Sequence, residues 1–508
     1  VEAARQANAS VILAKPLTAA ALPPDFPARY SKCVYPLTDA GNAERIVTWY
    51  KDRVRFIPSW YRYLIYDGVR WKQDVGGAGM TELALRVARG IQEESKRAAL
   101  ASLGKTVRAW GKRSESSARV KGAIEMVRGM KGVALEHTEL DKDPWMLQCS
   151  NGVVDLRTGA ITGQSQGCFI TKSTRIAYDP DAKAPLWESF LEMVVPDVDT
   201  RGFLQRLAGY CLTGEVSERV LTILHGYGRN GKSLFLRVLQ DMLGDYATTA
   251  MPSLLMAKDH EGHPAEIAHL FRIRLAVASE VKKNRAFDEE AVKRLTGNDV
   301  ITARGMRENP WSFEPQFKLL IAVNHKPRVR DSSDSIWDRI LIVNFGRRIE
   351  DHEVDRRLLD KLKRELPGIL AWAVEGCLAW QKDGLQIPEG VRAATKAYRR
   401  AEDIVGRFLE DCCCFGRTIK TTAKELEATV ATWCKSQGFQ YVLSRQAVAD
   451  RLNEKGCETK RAAAGYVWYG LAIKEEYRKE IGLSTLPSRA TPAAIGRSVL
   501  GPRKAPKK

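Results

Sequence analysis

The chain has 508 residues, 44% of them hydrophobic and 28% charged; at ~150 residues per domain that is roughly three units, each able to bury its own core. Lys and Arg number 80 against 61 Asp and Glu, a formal charge of +19, which points to a polyanion, either nucleic acid or an anionic membrane surface. No stretch approaches the ~18 uninterrupted apolar residues of a membrane-spanning helix, and the composition is too apolar and aromatic for a disordered chain.

Residues 1–37, rich in Ala and Pro (Leu22-Pro23-Pro24-Asp25-Phe26-Pro27), read as a linker. An aromatic stretch follows from about 34 to 75 with Trp49, Tyr50, Trp60, Tyr61, Tyr63, Tyr66 and Trp71. Its partial alternation and the Asp67-Gly68 turn predict a small β-core. Residues 76–136 read as helical. From Lys96 to Lys131 ten Lys or Arg face only Glu115 and Glu125, which suits either a solvated face or a surface that tracks phosphates. Two short strands are expected about Asn151-Gly152, and helical periodicity resumes from Trp187 to Leu212. Residues 366–399 form a helical connector, 400–478 a compact segment, and 479–508 a basic tail whose last 28 residues carry no acid. The ten Cys make no metal-type CxxC pair, so reduced, packed thiols are expected, the adjacent Cys412, Cys413 and Cys414 included.

The chemistry concentrates between about 218 and 345. Arg219 to Leu224 is a buried-strand run, followed at once by Gly226-Tyr227-Gly228-Arg229-Asn230-Gly231-Lys232-Ser233 and a helical segment from Leu234. This is GxxxxGKS in the strand–loop–helix setting that phosphate binding needs. Gly226, Gly228, Asn230, Gly231 and Leu234 belong to the loop and helix N-terminus whose N–H groups face phosphates. Lys232 would reach the β- and γ-phosphates of ATP, and the Ser233 hydroxyl would ligate Mg2+.

A second apolar strand, Leu275 to Ser279, ends at Glu280, a carboxylate able to orient an attacking water and hold the metal's shell. A third, Phe317 to Val323, ends at Asn324, which could contact a γ-phosphate or simply form a turn. Arg339 precedes the strand Leu341-Ile342-Val343 and could neutralise charge on a transferring phosphoryl group from a neighbouring subunit; Arg328 and Arg330 compete for that role.

With these spacings in place, the run Lys293-Arg294-Leu295-Thr296-Gly297-Asn298-Asp299-Val300-Ile301-Thr302-Ala303-Arg304 resembles the extra motif of superfamily 3 helicases, in particular the phage and plasmid primase-helicases of the satellite-phage and poxvirus type. The likeness extends upstream to Thr38–Arg45, Trp71 and Asn151–Leu156, and downstream, more weakly, to Phe408, Trp433-Cys434, Ser444–Leu452 and Trp468. The resemblance implies an α/β protein: a mixed α+β N-terminal domain at 38–186, an AAA+-like P-loop ATPase core at 187–365 and a C-terminal winged-helix domain at 400–478. It also implies a homo-oligomeric ring, typically a hexamer, that takes ATP and Mg2+ and draws single-stranded DNA from forked DNA, travelling 3′ to 5′.

On this resemblance Gly226 to Ser233 are the Walker A loop, Glu280 closes Walker B, Asn324 is the sensor and Arg339 the arginine finger. A hairpin between the Glu280 and Asn324 strands would line the channel, with Lys293, Arg304 and Arg307 as its DNA-binding candidates. Ser279 stands where some viral members carry a second acid, so Glu280 would serve both metal and water. Relatives often carry a primase domain ahead of the helicase, and the linker-like start is read as following one. The expected setting is the cytoplasm of a bacterial host, without a membrane partner. An AAA+ initiator or loader that remodels DNA without processive unwinding is the alternative.

Overall fold

Thr38 supplies the first helix signal that the structure uses. Its hydroxyl accepts from the Gly41 N–H at 3.1 Å and caps helix α1, Asp39–Tyr50. The computed structural model describes residues 35–97, 101–163, 166–257, 264–279, 285–304, 310–330, 333–439, 442–463 and 465–480, which fall into two units divided between Lys396 and Ala397. The aromatic stretch is therefore only partly sheet. Trp49 and Tyr50 close a helix whose Ala43 and Ile46 point into the core, and strands β1 (Val54–Ile57), β2 (Arg62–Tyr66) and β3 (Trp71–Gln73) form an antiparallel meander after it. The β2–β3 turn is made by the Asp67 carboxylate, which accepts from the N–H groups of Val69 and Arg70 at 2.9 Å each.

Helices α2 (Ala78–Glu94), α3 (Ala101–Ser114) and α4 (Ser117–Val127) complete this N-terminal module. Val87, Ile91, Trp110 and Val127 pack with Ile46 into one core. Arg45, buried, ties α1 to α2 through Glu94 at 3.1 Å, a pair that keeps the guanidinium's charge compensated. The exposed side of α3 carries Lys105, Arg108 and Lys112, none of them ion-paired among the described residues.

Strands β4 (Met146–Gln148), β5 (Val153–Asp155) and β6 (Ala160–Thr162) make a second meander, with the expected Asn151-Gly152 turn between the first two. Helices α5 (Pro185–Val194) and α6 (Val198–Leu212) follow. Pro196, which lacks a backbone donor, separates them, and Asp197 caps α6 by accepting from the Thr200 N–H at 2.9 Å.

The central layer is a five-stranded sheet of β7 (Leu221–His225), β8 (Ala247–Thr249), β9 (Leu275–Ser279), β12 (Lys318–Val323) and β13 (Ile340–Asn344). Its order is β13-β7-β12-β9-β8, and every neighbouring pair is parallel. Near-continuous apolar runs are what a parallel sheet covered on both faces requires. Helix α7 (Lys232–Leu243) joins β7 to β8, α8 (Glu289–Thr296) lies between β9 and β12, the one-turn helix α9 (Asp334–Trp337) leads into β13, and α10 (Leu366–Asp383) packs on α6. Trp187 of α5 stacks on Phe235 of α7 with ring centroids 5.6 Å apart. Between α8 and β12 a separate hairpin, β10 (Ile301–Ala303) with β11 (Trp311–Phe313), stands off the main sheet.

Two buried cations finish α6. Arg274, at the start of β9, donates to the Leu212 carbonyl and, at 2.6 Å, to that of Met146. Lys318, opening β12, donates to the carbonyls of Thr213, Glu215 and Gln316, the last two at 3.3 Å, and lies 4.8 Å from the Tyr210 ring centre. The last carbonyls of a helix have no partner within it, and these side chains supply donors where water is excluded.

The second unit contains α11 (Ile404–Cys412), α12 (Ala423–Ser436) and α13 (Arg445–Glu454) with an antiparallel sheet ordered β14-β16-β15, where β14 is Cys413–Thr422, β15 Glu458–Ala462 and β16 Gly465–Ile473. Its core gathers Phe408, Trp433, Leu452, Trp468 and Leu471. Cys412 and Cys413 are buried and Cys414 exposed, none of them in a disulfide among the described residues. Among the described residues, no helix is long and apolar enough to cross a membrane.

Candidate functional site

At the carboxyl end of β7 the chain turns through residues 226–231 into α7. Position 226 has to be glycine, because a Cβ there would collide with the Asn230 side-chain amide and the Phe345 carbonyl. Gly231 takes φ 81° and precedes α7 with no side-chain cap. The N–H groups of Lys232, Ser233 and Leu234 are thereby left for a ligand at the positive end of the helix. Arg229 also adopts positive φ, 45°, uncommon for a residue with a side chain. It is held by the Ile349 N–H, which donates to its carbonyl at 2.7 Å, and by an ion pair with Asp351.

The Lys232 ammonium donates to the Gly226 carbonyl at 2.7 Å, to Asn230 Oδ1 at 2.8 Å and to Asn324 Oδ1 at 3.3 Å. Asn230 in turn donates to the Phe345 carbonyl at 3.0 Å, fixing which way its amide points. Burial pushes the lysine's proton affinity below its ordinary value. Asn324 reaches this point because β12 is the immediate neighbour of β7 and ends level with it, Val323 opposite His225. The structure thus brings together Gly226, Gly228, Asn230, Gly231, Lys232, Ser233, Leu234 and Asn324.

All of these except Gly226 border a cleft of about 1160 Å³, ample for a nucleoside triphosphate, since ligand pockets run to roughly 300–1,000 Å³. Its cations are Lys232, Arg229, Arg237 and Arg356, and Ile349 and Val354 supply apolar wall. The segment from Ile349 to Leu358 escaped the sequence reading, because its run of alternating charges looks like any exposed loop. Ser279, the last residue of β9, lines the same cleft. Glu280 itself lies outside the described residues, as does Arg307.

A divalent cation fits this donor set. Ser233 lines the cleft from the first turn of α7, while Asp351, Glu353 and Asp355 are engaged by Arg229, Arg347 and Lys361. One hydroxyl and few carboxylates suit an ion held chiefly by phosphate oxygens; no group of three or more His, Cys, Asp or Glu among the described residues makes an all-protein cage.

Arg339 stands elsewhere. It precedes β13, whose Ile340 is level with Leu221 and Asn344 with His225, so it sits a strand's length, about 16 Å at ~3.3 Å per residue, below the loop. Its guanidinium donates to the Ser335 carbonyl at 3.2 Å and to the Thr296 hydroxyl at 3.1 Å. It does not border its own chain's cleft.

The hairpin expected between the second and third strands is β10–β11, and Arg304 follows β10 at its outer end. Lys293 is not on it. Asp288 accepts from the Ala291 N–H at 2.9 Å, which starts α8, and apolar Val292 and Leu295 bury that helix, leaving Lys293 in its last turn.

Two segments of the first unit match known families. A family model described as D5 N terminal like matches residues 43–196, and a family of unknown function, DUF5906, matches residues 224–339. The chain is 28% identical over 295 residues to "Putative helicase L207/L206" of Acanthamoeba polyphaga mimivirus, covering 54% of this chain and 31% of that protein. It is 24% identical over 370 residues to "Putative helicase 121R" of Invertebrate iridescent virus 3, covering 65% and 39%. It is also 20% identical over 210 residues to "Putative primase C962R" of African swine fever virus, covering 40% and 22%. The chain spans between 22% and 39% of the length of these viral relatives. In fold it is similar to an apo structure of the NrS-1 C-terminal region, with a TM-score of 0.51 at 11% identity, over 85% of this chain and 98% of that one.

Proposed function

We propose that the chain is an ATP-driven DNA helicase of superfamily 3, a reading supported by its similarity to primase-helicases of phage and viral type. In this reading the N–H groups at the start of α7 and the Lys232 ammonium hold the triphosphate. Ser233 and Glu280 are the ligands offered to magnesium, which supplies charge neutralisation on the phosphates when bound. Glu280 takes the proton of the attacking water and Asn324 orients the γ-phosphate. Arg339 serves the cleft of a neighbouring copy in a ring, typically hexameric. The β10–β11 hairpin, with Arg304 and Arg307, grips one DNA strand and moves it 3′ to 5′, and Lys293 supports it from α8. The α3 cations and a winged-helix second unit add contacts to phosphates outside the core.

The observation that carries the reading is the triple engagement of Lys232. One ammonium is steered by the loop's own Asn230 and by Asn324 from the adjacent strand, at an uncapped helix N-terminus. Lys232→Ala should lower ATP hydrolysis by roughly 10²-fold or more while the circular dichroism of the fold is retained. A variant with wild-type turnover sinks the assignment. Strand displacement on forked DNA separates a helicase from a loader, which would hydrolyse ATP without displacing a strand.

A further inference from the structure

The β10–β11 hairpin packs on the short helix Pro264–Ala268 and, at its root, meets the N-terminal module. Trp311 and Phe313 of β11 meet Phe271, with ring centroids 4.9 and 5.5 Å away. Over them closes a pair of rings from the N-terminal side. Trp60, in the turn between β1 and β2, lies 5.7 Å from Trp311, 5.4 Å edge-on from Phe271 and 6.1 Å from His137. His137 lies 5.6 Å from Trp311. Its imidazole also bridges: Nδ1 is 3.2 Å from the Ser59 hydroxyl, and Nε2 is 3.4 Å from the Ser312 carbonyl. With Nε2 as the donor to that carbonyl, Nδ1 accepts from Ser59. The indole N–H groups of Trp60 and Trp311 are buried with no acceptor among the described residues, so the contacts on show in the box are ring packing. Arg272 adds a bond to the Thr138 carbonyl at 3.3 Å.

We infer that Trp60 and His137 are positioning residues for the hairpin, so that the N-terminal module sets where the hairpin stands. The box lies at the end of the sheet remote from the nucleotide cleft: Phe271 precedes β9 and Phe313 precedes β12, whereas the cleft borders Ser279 and Asn324 at the other ends of those strands. Loosening the box therefore acts on the hairpin without touching the phosphate cradle. Its consequence for DNA rests on the proposed function; the anchoring itself does not.

Amide hydrogen exchange on the full chain tests the anchoring. Trp60→Ala removes three ring contacts, so the amides of β10 and β11 should exchange about tenfold faster or more. Those of β7 and β12 should be unchanged, and Trp60→Phe should recover most of the loss. Basal ATP hydrolysis should stay at the wild-type rate while its stimulation by single-stranded DNA falls. If hairpin protection is unchanged in Trp60→Ala, the inference is overturned. Should Trp60→Ala strip protection from β1–β3 as well, His137→Gln takes its place under the same two criteria. A wild-type chain whose hydrolysis ignores DNA would undo the helicase reading, and the exchange result would still decide the anchoring.

Discussion

Lys318 gives a stability prediction whose size can be worked from its surroundings. The side chain is fully enclosed between α6 and the start of β12, and burial pushes its ammonium down to about 7, against ~10.4 for a free lysine. Below pH 7 both folded and unfolded chains carry the proton and the cost of burying the charge is fully present. Above pH 7 the native state sheds the proton while the unfolded chain keeps it until ~10.4, so stability rises with pH. Between pH 7 and 9 the difference in bound protons integrates to about 2 kcal/mol. Lys318→Met keeps the apolar stem and has no such gain. The groups facing the ammonium are Cys211, Cys377, Arg274, Glu215 and the Tyr210 ring. Burial holds the Cys211 and Cys377 thiols up at about 12, which works in the opposite direction over this range. They are present in both proteins, so the difference between wild type and variant isolates the lysine. Urea unfolding followed by tryptophan fluorescence at pH 7 and pH 9 measures it. Equal pH responses in the two proteins would refute the picture of a desolvated ammonium in a carbonyl cage.

Two further outcomes follow from the charged groups. Arg339→Ala should bind ATP normally and lose hydrolysis, and mixing it with Lys232→Ala should restore part of the rate; a wild-type rate for Arg339→Ala alone would exclude the finger role. Lys105, Arg108 and Lys112 are spaced i, i+3, i+7 along one face of α3. Replacing all three with Ala should reduce the slope of log affinity for single-stranded DNA against log salt by about 2, at ~0.7 per phosphate contact. An unchanged slope, read by fluorescence anisotropy across a salt series, would show that α3 does not meet the backbone.

The strand–loop–helix at 221–243 was legible because its signals are local: an apolar run, glycines where side chains collide, and a lysine at a fixed offset. The tip of β12 could be read the same way, since a parallel sheet brings an apolar run ending in a polar residue beside the loop; Glu280, expected at the tip of β9, lies outside the described residues. What could not be read depends on contacts distant in sequence. His137 and Ser312 stand 175 positions apart, and nothing near Trp60, Trp311 or Phe271 announces a shared box. Arg274 and Lys318 would be taken as solvated strand ends from sequence, yet both are buried under the end of α6. Asp288-Glu289-Glu290 reads as a helix start from sequence, yet taking the following motif as one piece puts Lys293 on the hairpin, when it belongs to the last turn of α8. In the aromatic stretch the cap at Thr38 was the missed signal.

The separation of Lys232 from Arg339 along adjacent strands gives the chain two unlike ends. If Arg339 completes a neighbour's cleft, each site is composite, half from one copy and half from the next, and copies must join head to tail. The consequence is combinatorial. A ring of Lys232→Ala chains has no working site, nor has a ring of Arg339→Ala chains. In a random equal mixture about a quarter of the junctions pair an intact loop with an intact arginine, and recovered hydrolysis should approach that fraction of wild type. A cleft complete within one chain would give none.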